Sequence, residues 1–324
     1  MSTPTTDRDS DQLPSVAAAG GTGGGIGSTP ANTGRGGAMK SRRTGGSILP
    51  KLLLAFLCLL WTIPTIGLLV TSLRTRDAAN TSGWWQGINP FSEAFGGWTL
   101  SNYDQVINGN DMGNAFLNSL IVSIPATVIP IMFAAFAAYA FSFMKFPGRD
   151  TLFVVIVGLL VIPIQITFVP MLEFFGNDGL EITGQFLSVW LLHTAFGMPL
   201  AIYLLRNYMA TLPRSVIESA EVDGATHFQT FWQLIIPMSV PALAAFAIFQ
   251  FLWVWNDLLI ALLFLQQGEN EAITVNLTQL NGRLGEGWQL LTAGAFVTML
   301  VPLIVFFSLQ RYFVRGLTAG SVKG

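Results

Sequence analysis

Residues Met112–Met144 read MGNAFLNSLIVSIPATVIPIMFAAFAAYAFSFM and contain no charged side chain. An α-helix rises 1.5 Å per residue, so about 20 apolar residues cross the roughly 30 Å hydrocarbon core of a bilayer. The apolar residues here are continuous and do not alternate with polar ones, as the strands of a membrane β-barrel require. The stretch therefore predicts a transmembrane helix.

Comparable charge-free runs occur on both sides of this stretch. Together they predict an all-α, polytopic membrane protein with six transmembrane helices. The other predicted spans are Leu52–Leu73, Thr151–Leu172, Ile182–Leu205, a stretch from about Ile235 to Asn256 that continues through Phe264, and Gly287–Gln310.

The composition agrees with a protein whose surface faces lipid. Of 324 residues, 52% are hydrophobic and 10% are charged, whereas soluble domains carry about 25% charged residues. The net charge of −2 argues against a nucleic-acid partner. Cys58, the single cysteine, excludes an internal disulfide, and it lies in a different segment from His193 and from His227, so no metal cluster is expected.

The basic residues predict the orientation of the chain. With the N-terminus in the cytoplasm, 13 of the 16 Lys and Arg residues fall on the inner side, and only Arg74, Arg76 and Arg283 fall outside. Cytoplasmic loops are enriched in these residues. Both termini are therefore predicted to be cytoplasmic, in a cell-membrane protein, with a long external loop that contains the aromatic and acidic residues Trp84, Trp85, Trp98, Asp104 and Asp111.

The first segment, residues 1–46, is rich in Gly, Ser, Thr and Pro and has almost no large apolar side chains. It cannot bury enough surface to offset the entropy of ordering, so it is predicted to be a disordered cytoplasmic tail. It lacks the apolar core of a signal peptide. The glycines of Gly20–Gly25 are interpreted as a flexible linker, because no Lys-Ser or Lys-Thr follows them. Residues 47–324 form the predicted membrane domain.

A polar segment of about residues 206–237 separates the fourth and fifth spans. Pro213 suits the first turn of a helix, and Gly224 suits the position just past a helix end, where φ is positive. A second helical stretch is predicted from about Thr226, and Pro237 and Pro241 are expected to interrupt the chain as it re-enters the bilayer. Such an element can dock into a groove of a partner, or it can rest on lipid headgroups.

This segment resembles the cytoplasmic loop signature of ABC-importer permeases, which is Glu-Ala-Ala, three residues, Gly, nine residues, Ile-x-Leu-Pro. The chain has Glu218-Ser219-Ala220, then Gly224, then Leu234-Ile235-Ile236-Pro237, with the spacing kept and three small departures, at Ser219, Leu234 and Ile236. In that family the loop seats in a cleft of an ATPase subunit. The resemblance assigns this coupling role to Glu218, Ser219, Ala220, Asp223, Gly224, Ala225 and Pro237.

The C-terminal residues 311–324 are similar to the tail of the smaller permease in maltose-type carbohydrate importers, where the glycine-rich end reaches between the two ATPase subunits. Glycine permits a close backbone approach. The residues that the resemblance assigns to this contact are Gly316, Gly320, Lys323 and Gly324. The tail, with the stretch Trp253–Leu259, looks most like the α-glucoside branch of that family. Without the resemblance, a frayed terminus accounts for the same residues.

The resemblance implies a type I permease architecture and an assembly of several chains. The partners would be a second, non-identical permease, two ATPase subunits, an extracytoplasmic solute-binding protein, membrane lipid and a sugar substrate. The sequence has no Gly-x-x-x-x-Gly-Lys-Ser/Thr motif. The chain is therefore expected to be a non-catalytic translocation subunit that needs no cofactor.

Polar residues inside spans are costly and suggest function. A candidate solute pathway consists of Asn118, Gln250, Trp253, Asn256 and Asp257, because amides beside aromatic rings suit neutral polyols. The same residues also fit an interfacial tryptophan belt with a solvated Asp257. Asn118, Ser119 and Gln165 equally fit hydrogen bonds between helices, and His193 fits a packed position.

Two other classes share some of these features. Permeases that import another class of solute share the loop signature. A secondary transporter also has many spans, but it carries internal repeats and intramembrane charges for ion coupling. A membrane enzyme would need a clustered catalytic set, and the spacing of Cys58, His193 and Asp257 does not suggest one.

Overall fold

The computed structural model describes residues 48–176, 179–266, 268–280 and 287–319, with side chains described as far as Gln310. Within these ranges the regular structure is helical. The α-helices are α1 (Ile48–Ser72), α2 (Arg76–Thr81), α3 (Trp84–Ile88), α4 (Ser101–Asp104), α5 (Met112–Phe143), α6 (Arg149–Gly158), α7 (Phe168–Phe175), α8 (Phe186–Met209), α9 (Arg214–Val222), α10 (His227–Thr230), α11 (Ile236–Trp255), α12 (Leu259–Phe264), α13 (Ile273–Gln279) and α14 (Trp288–Ala319).

The chain falls into two units, Met1–Leu54 and Ala55–Gly324. Of the first unit, the structure describes only the opening turns of α1, and all the packing below lies within the second unit. The predicted tail of residues 1–46 lies outside the described residues.

Five helical segments of the described chain are long and apolar enough to cross a membrane, and a sixth is bent. The all-α class is confirmed, and the count of six spans holds if the bent pair is one span. The five are Ile48–Ser72, Met112–Phe143, Phe186–Met209, His227–Trp255 and Trp288–Gln310, and the bent pair is Arg149–Val161 with Ile164–Phe175.

The third predicted span differs from the expectation of a straight helix, because its two halves meet at an angle of 93°. The bend lies at Ile162 and Pro163, which have extended backbones with ψ of 121° at both residues. The ring of a proline clashes with a helical conformation at the residue before it, which favours an extended backbone there. Pro163 therefore accounts for the bend.

The fifth predicted span also differs, and here the prediction that Pro237 and Pro241 interrupt the chain is wrong. The helix is continuous from His227 to Trp255. It passes through a π-helical turn at Phe231–Ile235, which ends two residues before Pro237. A wider turn loosens the backbone where a proline ring would otherwise clash with the carbonyl four residues earlier. The span ends at Trp255, and α12 is a separate short helix rather than its continuation.

Helix α5 lies at the centre of the core and packs along α8 and α11. Small residues on the facing surfaces, including Ala134, Ala138 and Ala201, are fully buried. Small side chains let helix backbones approach closely, which is how helices associate in a bilayer. By contrast, α1 is largely uncovered, with Trp61 81% exposed. Its surface is available to lipid or to another membrane chain.

The predicted external loop forms short helices α2, α3 and α4 around a buried Arg74. The Arg74 side chain donates to the carbonyl oxygens of Ser82 and Gly83 and to the Ser82 hydroxyl. Asn102 donates to the carbonyl oxygens of Ser72 and Arg74. Burial lowers the pKa of Arg74 from its ordinary value. The segment is thus an ordered cap next to the end of α1.

Candidate functional site

Helix α9 ends in a glycine turn of well-defined hydrogen bonding. Gly224 has φ of 77°, a conformation that glycine adopts without the steric penalty of a Cβ atom. The Ala225 N–H donates to the Ala220 carbonyl at 2.9 Å, and the Gly224 N–H donates to the Glu221 carbonyl at 3.1 Å. This is the Schellman pattern that closes a helix end. The positive φ predicted for Gly224 is confirmed.

The next helix begins with a capping box two residues later. The Thr226 hydroxyl accepts from the Gln229 N–H, and the Gln229 side chain accepts from the Thr226 N–H. These reciprocal bonds satisfy two otherwise free donors at the helix start. The chain direction is thus fixed on both sides of Gly224, and α9 and α10 form a compact helix–glycine–helix element, which is called the knob below (residues 214–230).

The knob has an inner apolar face and an outer polar face. Ile217 and Ala220 are buried, and Ile217 belongs to a core cluster with Leu205, Phe231 and Ile235. The outer face contains the predicted residues Glu218, Ser219, Asp223 and Gly224, all of which are exposed, and Ala225 is half-buried. Val222 at the apex is 87% exposed. An apolar residue among charged ones on an outer surface fits a protein contact.

The knob and the helix that continues from it are held to α5 and α8 by aromatic and polar contacts. The Tyr139 hydroxyl on α5 is hydrogen-bonded to His227 Nδ1 at 3.0 Å. The rings of Phe136 and Phe231 stack with their centroids 4.6 Å apart. The Tyr208 hydroxyl on α8 donates to the Met238 carbonyl. The knob is therefore joined to α5 by the contact between Tyr139 and His227, and to α11 by the continuous helix that begins at His227. The sequence offered no signal for the Tyr139–His227 bond, because 88 residues separate the partners.

The predicted solute-pathway residues fall into two groups in this structure. Two of them join helices to neighbouring segments. The Asn118 amide donates to the carbonyl oxygens of Glu269 and Glu271. The Gln250 amide is buried and donates to the carbonyl oxygens of Ala126 and His193. Ser119 likewise accepts from the Ile273 N–H.

The second group lies where α11 ends. The rings of Trp253 and His193 meet edge to face at 5.5 Å, and His193 Nε2 is 3.9 Å from Asp257 Oδ2. The same carboxylate oxygen accepts from the backbone N–H groups of Ile260 and Ala261 and so caps the start of α12. Asp257 is 15% exposed, which does not fit the solvated aspartate of the alternative prediction. Asn256 is exposed, and its amide bonds to the Leu252 carbonyl of its own helix.

The structure describes only part of the C-terminal segment that is predicted to contact the ATPase subunits. Helix α14 continues to Ala319, so Gly316 has a helical backbone. Gly320, Lys323 and Gly324 lie outside the described residues.

A set of membrane helices with an exposed helix–glycine–helix knob is typical of the membrane component of a transport system. Comparisons with known proteins identify the family. Residues 115–319 match the binding-protein-dependent transport system inner membrane component. The chain belongs to that family. This match, together with relatives that are permeases for alpha-glucosides and for melibiose, raffinose and stachyose, confirms the resemblance to carbohydrate-importer permeases.

Two relatives are described by their transport roles. The osmoprotective compounds uptake permease of Synechocystis sp. is 54% identical over 266 residues, which is 82% of this chain and 88% of the relative. The alpha-glucoside transport system permease of Rhizobium meliloti is 41% identical and covers 88% of this chain and 99% of its own. A chain in the crystal structure of a bacterial ABC transporter that imports the polysaccharide alginate has the same fold, with a TM-score of 0.66 and 22% identity over 82% of this chain and 95% of that one.

Proposed function

We propose that this chain is one of the two permease subunits of an ATP-driven importer of sugars. The observation that carries the proposal is the exposed knob around Gly224, whose residues match the loop signature of the family in spacing and whose outer face has no cover within the described chain. ATP hydrolysis would take place on separate subunits, because the sequence has no phosphate-binding motif of its own.

The mechanical role follows from the contacts of the knob. When an ATPase subunit holds the outer face, its movement reaches α5 through the Tyr139–His227 bond and the Phe136–Phe231 stack. It reaches α11 without any intervening loop, because the helix from His227 to Trp255 is continuous. Glu218 and Asp223 would contact polar groups of the ATPase, and Gly224 sets the angle between α9 and α10. Switching between inward- and outward-facing states would begin at this contact.

The remaining parts of the assembly are proposed from the family and from the distribution of charge. A second, non-identical permease would complete the pathway, an extracytoplasmic solute-binding protein would deliver the sugar, and the glycines of the C-terminal tail would approach the ATPase pair. Both termini would lie in the cytoplasm, in agreement with the 13 basic residues of the inner side.

An α-glucoside is the proposed solute, because a relative that spans 88% of this chain transports α-glucosides and because Trp253 and Asn256 offer an aromatic face and an amide. A second candidate is an osmoprotective compound, since a permease for such compounds is 54% identical. A neutral polyhydroxyl solute would agree with both candidates, the α-glucoside and the osmoprotective compound. A zwitterionic solute would agree only with the osmoprotective compound.

The test combines uptake with co-purification. Cells with and without the chain are given a labelled panel of an α-glucoside, an unrelated oligosaccharide and a zwitterionic osmoprotectant. We expect chain-dependent, ATP-dependent uptake of the glucoside, and an ATPase subunit that purifies with the tagged chain. Uptake driven by an ion gradient with no ATPase attached would overturn the proposal.

A charge placed on the apex of the knob tests the coupling site itself. Val222→Asp should weaken co-purification of the ATPase and lower uptake about tenfold or more, because the substitution puts a desolvated charge into a protein contact. Thr211→Asp adds the same charge at an exposed position before α9 and should leave both measurements near wild type. Equal effects of the two substitutions would argue against a specific contact at Val222.

A further inference from the structure

An open cleft of about 610 Å³ lies beside the knob, where α5 ends and α6 begins. Three cationic side chains line it, those of Lys145, Arg149 and Arg214. Asp150 is the one carboxylate in the lining. The other lining residues are Phe146, Gly148 and Thr151.

The positive charge of this cleft is only partly compensated. Arg149 pairs with Asp150 at 3.0 Å. Across the described residues, neither Lys145 nor Arg214 has a carboxylate within ion-pair distance. An adjoining space of about 210 Å³ is lined by the same three cations together with Glu218 and Glu221. Lys145 and Arg214, two unpaired cations beside Arg149, raise the local potential and attract an anion.

The depth of the cleft in the membrane follows from the length of α5. Its 32 residues extend about 48 Å at 1.5 Å per residue, which exceeds the roughly 40–45 Å of a bilayer including its headgroups. The helix ends at Phe143, and α6 starts into the membrane again at Arg149. A helix of this length brings its end into or past the headgroup region, so Lys145 after α5 and Arg149 at the start of α6 come within reach of the lipid phosphates, and Arg214 lines the same cleft.

The surface next to the cleft is suited to acyl chains. Helix α6 has no buried residue, and its side chains Leu152, Val154 and Val155 are 49%, 68% and 55% exposed. These apolar residues follow Arg149 directly in the same helix. A molecule with a phosphate in the cleft could therefore lay its hydrocarbon tails along α6.

We propose that this cleft binds the headgroup phosphate of an anionic phospholipid, with Lys145, Arg149 and Arg214 around the phosphate and the acyl chains on α6. Basic pockets between membrane helices recognise such headgroups by charge. Because Arg214 is the first residue of α9, the lipid would fix the base of the knob to the membrane surface. Lipid binding at this cleft depends on α5 and α6 crossing the membrane, and it does not depend on any step of the transport cycle.

The experiment measures lipid on the intact assembly. The full-length chain, with whatever subunits purify with it, is exchanged into nanodiscs of phosphatidylcholine with increasing phosphatidylglycerol, and the retained phosphatidylglycerol is counted by native mass spectrometry after release into detergent. The variant K145Q/R149Q/R214Q should retain phosphatidylglycerol about tenfold more weakly than wild type, because each basic residue near a membrane surface contributes to the attraction. Inorganic phosphate in excess should not displace the lipid.

Two further variants distinguish binding in the cleft from misfolding and from a general loss of positive charge. Lys51→Gln removes one exposed cation at the start of α1 and should retain lipid as wild type does. K145R/R149K/R214K keeps the charges and should restore retention, which excludes misfolding as the cause of a loss.

Three results would overturn the proposal: unchanged retention in the triple Gln variant, an equal loss with Lys51→Gln, or displacement of the lipid by inorganic phosphate. If the triple variant lost the ATPase but kept its lipid, the cleft would be a protein contact and the proposal would also be wrong. Absence of any ATPase from the wild-type preparation would count against the proposed function alone, since lipid retention can still be measured.

Discussion

Gly224 has a backbone conformation that a side chain would strain, although the space around it is open. At φ of 77°, a residue with a Cβ atom costs about 1–2 kcal/mol. The turn would relax, and the angle between α9 and α10 would change. We expect Gly224→Asp to abolish transport-coupled ATP hydrolysis in reconstituted vesicles while the chain still inserts into the membrane.

Gly184 provides a matched control for this prediction. It has φ of 86° and equally open surroundings, but it lies just before α8, at the opposite end of that helix from the knob. Gly184→Asp should therefore lower stability by a similar amount without uncoupling ATP hydrolysis from transport. Retained coupling in Gly224→Asp would contradict the role given to the turn.

Gln250 contributes to helix packing through its side-chain amide. It bonds to backbone carbonyl groups of α5 and α8, and a Cβ atom on Gly197 would lie 2.8 Å from the amide. Gln250→Leu should lower the free energy of unfolding by about 1 kcal/mol, the usual size of such bonds between membrane helices. The midpoint of thermal unfolding should fall, and the KM for transport should stay unchanged.

Asn256→Ala is the companion substitution to Gln250→Leu. The Asn256 side chain is exposed and bonds within its own helix, so its loss should have little effect on thermal unfolding. Because the proposed solute contact uses the Asn256 amide, the KM for sugar should rise severalfold. A raised KM for Gln250→Leu with unchanged stability would reverse the roles assigned to the two residues.

For single residues, the sequence predicts those conformations that depend only on neighbouring residues in the chain. A glycine after an amphipathic helix indicates positive φ whatever surrounds it, so Gly224 could be predicted correctly. The contacts between His193 and Asp257, or between Gln250 and Ala126, join residues that are 64 and 124 positions apart. Their meeting depends on how the helices pack, which periodicity does not determine.

Among the elements, Pro163 and Pro237 lead to opposite results from the same chemistry. Before Pro163 the backbone becomes extended and the helix bends by 93°. Before Pro237 a π-helical turn keeps the helix continuous. A proline restricts the preceding turn in both cases. A proline in the sequence does not by itself distinguish a break from a widened turn. The sequence therefore predicts a single third transmembrane helix and an interruption at Pro237, and the structure differs from both predictions.

The bend at Pro163 can be measured directly. Spin labels at Val154 and Phe174, both exposed, should be about 22 Å apart in a straight line across the bend, against about 30 Å for a straight helix at 1.5 Å per residue. Pro163→Ala removes the restriction on Ile162 and should shift the distribution towards the longer distance. The measurement is pulsed electron paramagnetic resonance.

Labels at Val154 and Leu160 serve as the control, because both lie on the same side of the bend. Their separation should not change with Pro163→Ala. A wild-type distance near 30 Å between Val154 and Phe174 would show that the two halves are collinear.

For the whole molecule, the orientation is open to a labelling experiment, since Cys58 is the single cysteine. In a Cys58→Ser background, Phe91→Cys and Thr211→Cys each place a thiol on an exposed residue. A membrane-impermeant maleimide should label Phe91→Cys in intact cells with a permeable outer layer, and Thr211→Cys only after the membrane is opened. Leu59→Cys, within α1, should stay unlabelled because lipid shields it. Labelling of Thr211→Cys from outside would contradict cytoplasmic termini.

The long apolar helices could be predicted because the hydrocarbon thickness sets the minimum length of an apolar run that crosses it. Met112–Phe143 and Trp288–Gln310 agree with the predicted runs to within one residue at each end. The uncovered surface of α1 could not be predicted. An apolar run has the same sequence pattern whether it packs against lipid, its own chain or a partner.

The unbroken helix from His227 to Trp255 has a mechanical consequence. Its 29 residues make a rigid helix about 43 Å long at 1.5 Å per residue. A tilt of this helix by roughly 10° about the knob would move its far end by about 7 Å. A broken helix would absorb that stroke at its joint. The amplitude of the movement at the far end of the helix, for a given small rotation of an ATPase subunit, would then depend on the π-helical turn that keeps the helix continuous ahead of Pro237.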